Sequence, residues 1–208
     1  TCISKVTGKV SDQGIFDAVS KIAAKNQNSD APYFIAAYNA GTHAFTDTDN
    51  CGYKNFSSDN QVKNRFENFD FYLGSFINEL KKQDDFKDTL IVITSDHATY
   101  PVSHYRQLIK AKKEDVYFVD TIPLIIMNHD INNTMIDADG RNSISLVPTL
   151  LDILGYKFPR NIFENPSLLD PENLKDSLNI SAIGYDFFLT IDNRIHSSNK
   201  IPKKFKSE

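Results

Sequence analysis

Apolar residues recur at three- and four-residue steps in two long stretches of this chain and run unbroken in three short ones. In residues 11–26, Ile15, Phe16, Val19, Ile22 and Ala23 share one helical face. This predicts a helix that Ser11 caps and whose first turn Asp12 suits. The polar run from Asn26 to Asp30 ends it. Residues 62–83 predict the longest helix, because Phe66, Phe69, Leu73, Phe76, Ile77 and Leu80 repeat at the same steps. Lys81 and Lys82 complement the dipole at its C-terminal end. The unbroken runs are 33–38 (YFIAAY), 89–95 (TLIVITS) and 121–127 (TIPLIIM). Short apolar runs bounded by turn formers predict strands buried on both faces. Pro123 puts the third at a strand start or a sheet edge. Residues 145–154 predict a further helix, with Ser145 as cap, Pro148 in the first turn and Gly155 as the stop just past the end.

The intervening segments differ in kind. Residues 39–61 are rich in Asn, Asp, Ser, Thr and Gly, and a loop of that length is usually functional. Residues 99–118 are mixed and polar and predict a lid or surface excursion. A strand or hairpin is expected within 184–195, and a frayed, Lys-rich tail over 200–208. There is no internal repeat and no linker. Helices that alternate with fully apolar strands predict an α/β fold, a three-layer sandwich with a mostly parallel sheet. The expectation is a single domain over residues 1–208, its core at about 11–158 and residues 159–208 peripheral.

In open α/β sheets, ligands bind beyond the carboxyl ends of the strands. The run 33–38 leads into Asn39-Ala40-Gly41-Thr42-His43, and the run 89–95 into Asp96-His97. The helix between them is long enough for a crossover. If the two strands are parallel, His43, Asp96 and His97 reach the same edge. Aspartate and neutral imidazole suit Zn²⁺, Mn²⁺ and related ions. The dipeptide alone is a weak signal that reads first as a solvated turn, and its place at the end of a rigid strand is what adds weight.

Composition narrows the function classes. The 208 residues are 40% hydrophobic with a formal charge of −4, which suits a globular chain with a real core. No basic stripe offers itself to nucleic acid. No stretch approaches the roughly 18 apolar residues of a membrane span, so any membrane attachment is expected through segments outside this sequence. Cys2 and Cys51 fit either a reducing compartment or a secreted protein with few staples. Whether they pair depends on geometry that sequence does not carry.

Five blocks resemble the sulfatase-like branch of the alkaline phosphatase superfamily, in that family's order. They are Pro32 to Ile35 with Thr42 to Phe45 (PYFI and THAF), Asn68 to Ile77 (NFDFYLGSFI), Asp88 to His97 (DTLIVITSDH), Ile122 to Ile126 (IPLII) and Val147 to Gly155 (VPTLLDILG). The stretch Ser11 to Asp17 (SDQGIFD) further resembles a helix of lipoteichoic acid synthases, which transfer phosphoglycerol. The resemblance covers roughly residues 11–158 and implies one divalent ion (Mn, Mg, Zn or Ca) with Asp96 and His97 as two of its ligands. It implies that His43 binds the phosphate or sulfate being transferred, and that His104 contacts substrate or a second ion. It also implies an anionic phosphate or sulfate ester as substrate, lipid-linked ones included, and a place at the extracellular face of the membrane or in the periplasm.

The sequence departs from that family at three points. Ala98 follows His97 where Gly or a small polar residue is usual, and Ser145 stands where many relatives carry Asp. No stretch before residue 32 resembles the block that supplies the nucleophile and the first acidic ligands, and Thr1-Cys2 lacks that context. The expectation is therefore the C-terminal portion of a catalytic domain, inactive or nearly so alone, whose nucleophile lies upstream. A plain sulfatase, a non-catalytic binding domain that kept the fold, and an unrelated α/β domain with chance matches are the competing readings. His129 and His196 read as ordinary turn and polar-segment residues. Arg106 and Lys110 read as a solvated helix face, and Asp70 as structural.

Overall fold

The computed structural model describes residues 3, 8–27, 29–43, 59–98, 122–136, 138, 141–159, 162, 163, 165–170, 179–183, 186–191 and 194–197. The chain divides into two compact units, Thr1–Asp130 and Ile131–Glu208.

In the first unit, helix α1 spans Asp12–Asn26, and its cap is the one expected: Ser11 Oγ accepts from the Gly14 amide at 3.3 Å. This satisfies one of the amides that a helix start leaves without an intrahelical partner. Helix α2 spans Gln61–Leu80, started by Asn60, whose Oδ1 accepts from the amides of Val62 and Lys63 at 3.0 and 3.1 Å. The two helices pack against each other. Phe16 of α1 stacks on Phe76 of α2 with ring centroids 5.1 Å apart and tilts against Phe69 at 5.9 Å. That part of the apolar stripe performs as predicted. Phe66 does not, because it is exposed, and the face of α2 that is buried carries Asn64, Arg65, Asn68 and Tyr72. Asp70 lies on the exposed side.

A 3-10 turn, Asp84–Asp88, leads into strand β1, Ile91–Thr94. Strand β2 spans Leu124–Met127 and pairs with β1 in antiparallel register, Ile91 opposite Met127 and Thr94 opposite Leu124. Asn128 Nδ2 donates to the carbonyls of Lys87 and Thr89 at 3.1 and 2.9 Å, fixing the open end of the pair.

Two expectations are corrected here. Residues 33–38 form no strand, and most of the segment is exposed, with Phe34 at 87%. A run written to be buried on both faces becomes a strand only when neighbours cover both faces, and the described residues supply no such cover. The two predicted strands that do form pair antiparallel, not parallel. Apolar periodicity records burial, not direction, and the long connection between β1 and β2 permits either.

In the second unit, a 3-10 turn Ser143–Ser145 runs into helix α3, Leu146–Ile153. The side-chain cap falls on Asn142, which accepts from the Ile144 amide at 3.0 Å, while Ser145 makes no capping bond. Ser145 instead is fully buried, and its carbonyl accepts from Thr149 Oγ1 at 2.6 Å. Thr149 Oγ1 then accepts from the Leu168 amide at 2.9 Å and ties the following loop to the helix. Gly155 ends α3 as predicted, at φ 75°. The amide of Tyr156 reaches back to the Leu151 carbonyl at 2.9 Å, closing the turn that a left-handed residue permits. Strands β3 (Asn179–Ile183), β4 (Asp186–Ile191) and β5 (Arg194–Ser197) form an antiparallel meander, of which β4 and β5 are the hairpin foreseen near 184–195. Among the described residues no helix is long and apolar enough to cross a membrane.

Candidate functional site

β1 owes its extended form to β-branched residues, Ile91, Val92, Ile93 and Thr94. Its end is held by Thr94 Oγ1, which donates to the Pro123 carbonyl at 2.9 Å, just ahead of β2. The chain then turns sharply through Ser95, Asp96, His97 and Ala98. Ser95 Oγ donates to the His97 carbonyl at 2.7 Å, and Asp96 Oδ1 accepts from the His97 amide at 3.0 Å. Both bonds are local, so the turn is stiffened by its own side chains.

The imidazole of His97 is oriented too. Its Nδ1 lies 2.7 Å from the Ala98 carbonyl. A carbonyl only accepts, so Nδ1 carries the proton and, in the neutral ring, Nε2 keeps its lone pair. A histidine anchored this way through its far nitrogen is the arrangement common to metal-ligating imidazoles. Nε2 stands 3.7 Å from Asp96 Oδ2, and the side chains are 42% and 54% exposed respectively. Two ligands on one tetrahedral ion with bonds of about 2.0–2.2 Å sit about 3.4 Å apart, so a small side-chain rotation suffices. On donor type, tautomer and spacing the pair fits a divalent cation. Among the described residues no group of three or more His, Cys, Asp or Glu side chains forms a fuller set of ligands.

His43, also in the first unit, ends a tight turn closed by its amide donating to the Ala40 carbonyl at 3.2 Å. This turn rests on a polar cluster that the apolar patterning did not reveal. The carboxylate of Asp12, 2% exposed, accepts from Asn39 Nδ2 at 3.1 Å and from Asn68 Nδ2 at 3.5 Å. Arg65 donates from Nη1 to the Gly41 carbonyl at 3.2 Å. Asn39 Nδ2 also reaches Thr42 Oγ1 at 3.3 Å. Gly41 is packed so tightly on Asp12 that a Cβ there would overlap the carboxylate. Burial pushes the Asp12 carboxyl above the usual carboxylate range, against the opposing pull of its hydrogen bonds and of the Arg65 charge. Tyr72, which donates to Gln13 Oε1 at 3.3 Å, is raised as well, first by burial and then by the negative charges of Asp17 and Asp12. The one signal in the sequence was the spacing of Asn64, Arg65, Asn68 and Tyr72, which fall on one face of α2 as surely as the phenylalanines fall on another.

Of the residues singled out from sequence, Asp96 and His97 are brought together, and His43 stands in its own turn. His104 lies outside the described residues, as do Arg106, Lys110, Cys2 and Cys51. His129, at the end of β2, pairs through Nδ1 with Asp130 Oδ1 at 2.7 Å on an exposed surface, in keeping with an ordinary turn.

A sequence profile for the sulfatase family matches residues 2–156. Arylsulfatase K of Canis lupus familiaris is 30% identical over 93 residues, which are 45% of this chain and 17% of that protein. The crystal structure of a protein in the alkaline phosphatase superfamily from Vibrio parahaemolyticus superposes with a TM-score of 0.69 at 19% identity, over 94% of this chain and 47% of that one. The likeness establishes a sulfatase-like α/β fold. This chain spans less than half the length of either relative.

Proposed function

Because this chain belongs to the sulfatase family, we propose that it carries part of a metal-dependent active site for phosphate or sulfate esters. The observation that carries the reading is the Asp96–His97 turn at the end of β1, in which His97 Nδ1 is held by a carbonyl 2.7 Å away and Nε2 faces the Asp96 carboxylate. Asp96 and His97 are two ligands of one divalent ion, Mn, Mg, Zn or Ca. When bound, that ion supplies Lewis-acid chemistry, lowering the pKa of an attacking hydroxyl and offsetting the anionic charge at phosphorus or sulfur. His43 donates a hydrogen bond to the non-bridging oxygens of the transferred group, whose charge grows in the transition state. His104 is assigned to substrate or to a second ion. The nucleophile comes from chain upstream of the matched blocks.

Within that reading the substrate is a phosphoryl alcohol, phosphoglycerol above all, moved from a lipid at the outer face of the membrane or in the periplasm. The resemblance of Ser11 to Asp17 to the transferase helix supports it. A sulfuric ester hydrolase is the second reading, favoured by the similarity to a relative named as an arylsulfatase. The test uses the complete polypeptide that carries this sequence, with Mn²⁺. Release of diacylglycerol from a glycerophospholipid is compared with cleavage of an aryl sulfate, which separates the two readings. His97→Ala is expected to reduce whichever activity is found by about a thousandfold or more, the equivalent of several kcal/mol of charge stabilisation. Undiminished turnover in that variant removes the metal assignment.

A further inference from the structure

We propose that Asp12 is a positioning residue for His43, acting through a clamp on the peptide units of Gly41. The inference rests on the reading of His43 as the residue that meets the transferred oxyanion. Asp12 opens α1, 31 residues ahead of His43 in the chain, yet its carboxylate packs directly against Gly41 while Arg65 Nη1 of α2 donates to the Gly41 carbonyl at 3.2 Å. One residue is thus gripped on both sides, from two different helices. Asn39 adds a second hold, bonding Asp12 at 3.1 Å and Thr42 at 3.3 Å. Asn68, only 1% exposed, closes the far side of the carboxylate. The tight turn that ends in the His43 amide therefore has its backbone fixed two residues before the imidazole.

A carboxylate is well chosen for this task. It is acceptor-only when ionised, and it faces two side-chain NH₂ groups, both donors. An asparagine there would present one NH₂ to donors. Burying an anion to hold a loop is expensive, and a purely structural turn could be closed with neutral groups. The arrangement makes sense where the angle of the next side chain matters. None of the bonds named here involves Asp96 or His97, so the clamp rests on observations separate from those that carry the proposed function.

The test uses the ¹⁵N-labelled 208-residue chain, its Asp12→Ala and Asn39→Ala variants, and His43→Ala as a reference. Amide hydrogen exchange is read at Gly41 and His43, with amides in the middle of α2 as the control for folding. In Asp12→Ala the Gly41 and His43 amides are expected to exchange at least about tenfold faster while the α2 amides keep their protection. Unchanged protection at both positions in a folded variant overturns the proposal. If Asp12→Ala does not fold, Asn39→Ala, which removes a half-exposed side chain, decides in the same way.

Inorganic sulfate is then titrated and followed at the backbone amide resonances of residues 40–43 in every variant, and at the His43 ring resonances where that ring is present. A positioning role predicts that affinity falls about fivefold or more in Asp12→Ala, with α2 intact, and falls no further than in His43→Ala. Equal affinity in parent and Asp12→Ala overturns the proposal and leaves the reading of His43 standing. If sulfate leaves the parent His43 resonances unmoved, it is that reading which fails, and exchange at Gly41 and His43 still decides the clamp.

Discussion

Gly41 has no room for a side chain, because a Cβ would strike the carboxylate of Asp12. Its backbone is not left-handed, so the requirement comes from close approach alone. Gly41→Ala is expected to destabilise the first unit by about 1–3 kcal/mol, the range for forced overpacking, measured by urea unfolding. Asp12 gives a second prediction through pH. Its folded-state pKa is raised above the ordinary 3.8, chiefly by burial. The native state therefore binds this proton more tightly than the unfolded chain does. The stability that goes with that difference is fully present below 3.8 and is lost as pH rises through the folded value. Relative to Asp12→Asn, the parent chain should gain stability as pH falls from neutral toward 4, the reverse of a salt-bridged carboxylate. Parallel unfolding curves for the two proteins across that range would contradict this. The place of Asp96 and His97 just past a strand was legible in sequence, because the apolar run ahead of them marks that strand. Asp12 was not, since an aspartate in a first helical turn reads as a solvated partner for the dipole, and only the fold shows what lies over it.

The helices began and ended near where their polar residues said they should. Ser11 and Gly155 perform as read from sequence. Asn60 accepts two amides at the start of α2, so Asn60→Ala is expected to lower stability by about 1 kcal/mol, seen as a lower midpoint of thermal unfolding. The shift at α3, where Asn142 caps and Ser145 is buried, follows from a 3-10 turn placed ahead of the helix, which moves the cap three residues upstream. The strands were half legible. β1 and β2 formed within the predicted runs, and the run at 33–38 did not. Helices carry their own backbone hydrogen bonds and can be read from one segment. A strand is defined by its neighbour, and the neighbour is not written in the strand.

At the scale of the molecule, the alternation of apolar runs with amphipathic stretches was enough for an α/β fold, and the order of five loose blocks was enough for the family. Neither carried the direction of the pairing between β1 and β2. The division into units at Asp130 was not legible either, since no glycine- or proline-rich linker marks it. The segment after α1 has no regular secondary structure and exposes Tyr33, Phe34 and Tyr38, at 43%, 87% and 63%. Exposed aromatic residues in open backbone are what chymotrypsin cleaves, and limited digestion of this chain should nick it there first, as mass spectrometry of early fragments would show. A nick after Phe34 would leave Asp12 on one piece and Gly41 on the other. Whether the two pieces then co-elute as one particle, and at what denaturant concentration they part, would weigh the grip of a single buried carboxylate without altering any side chain.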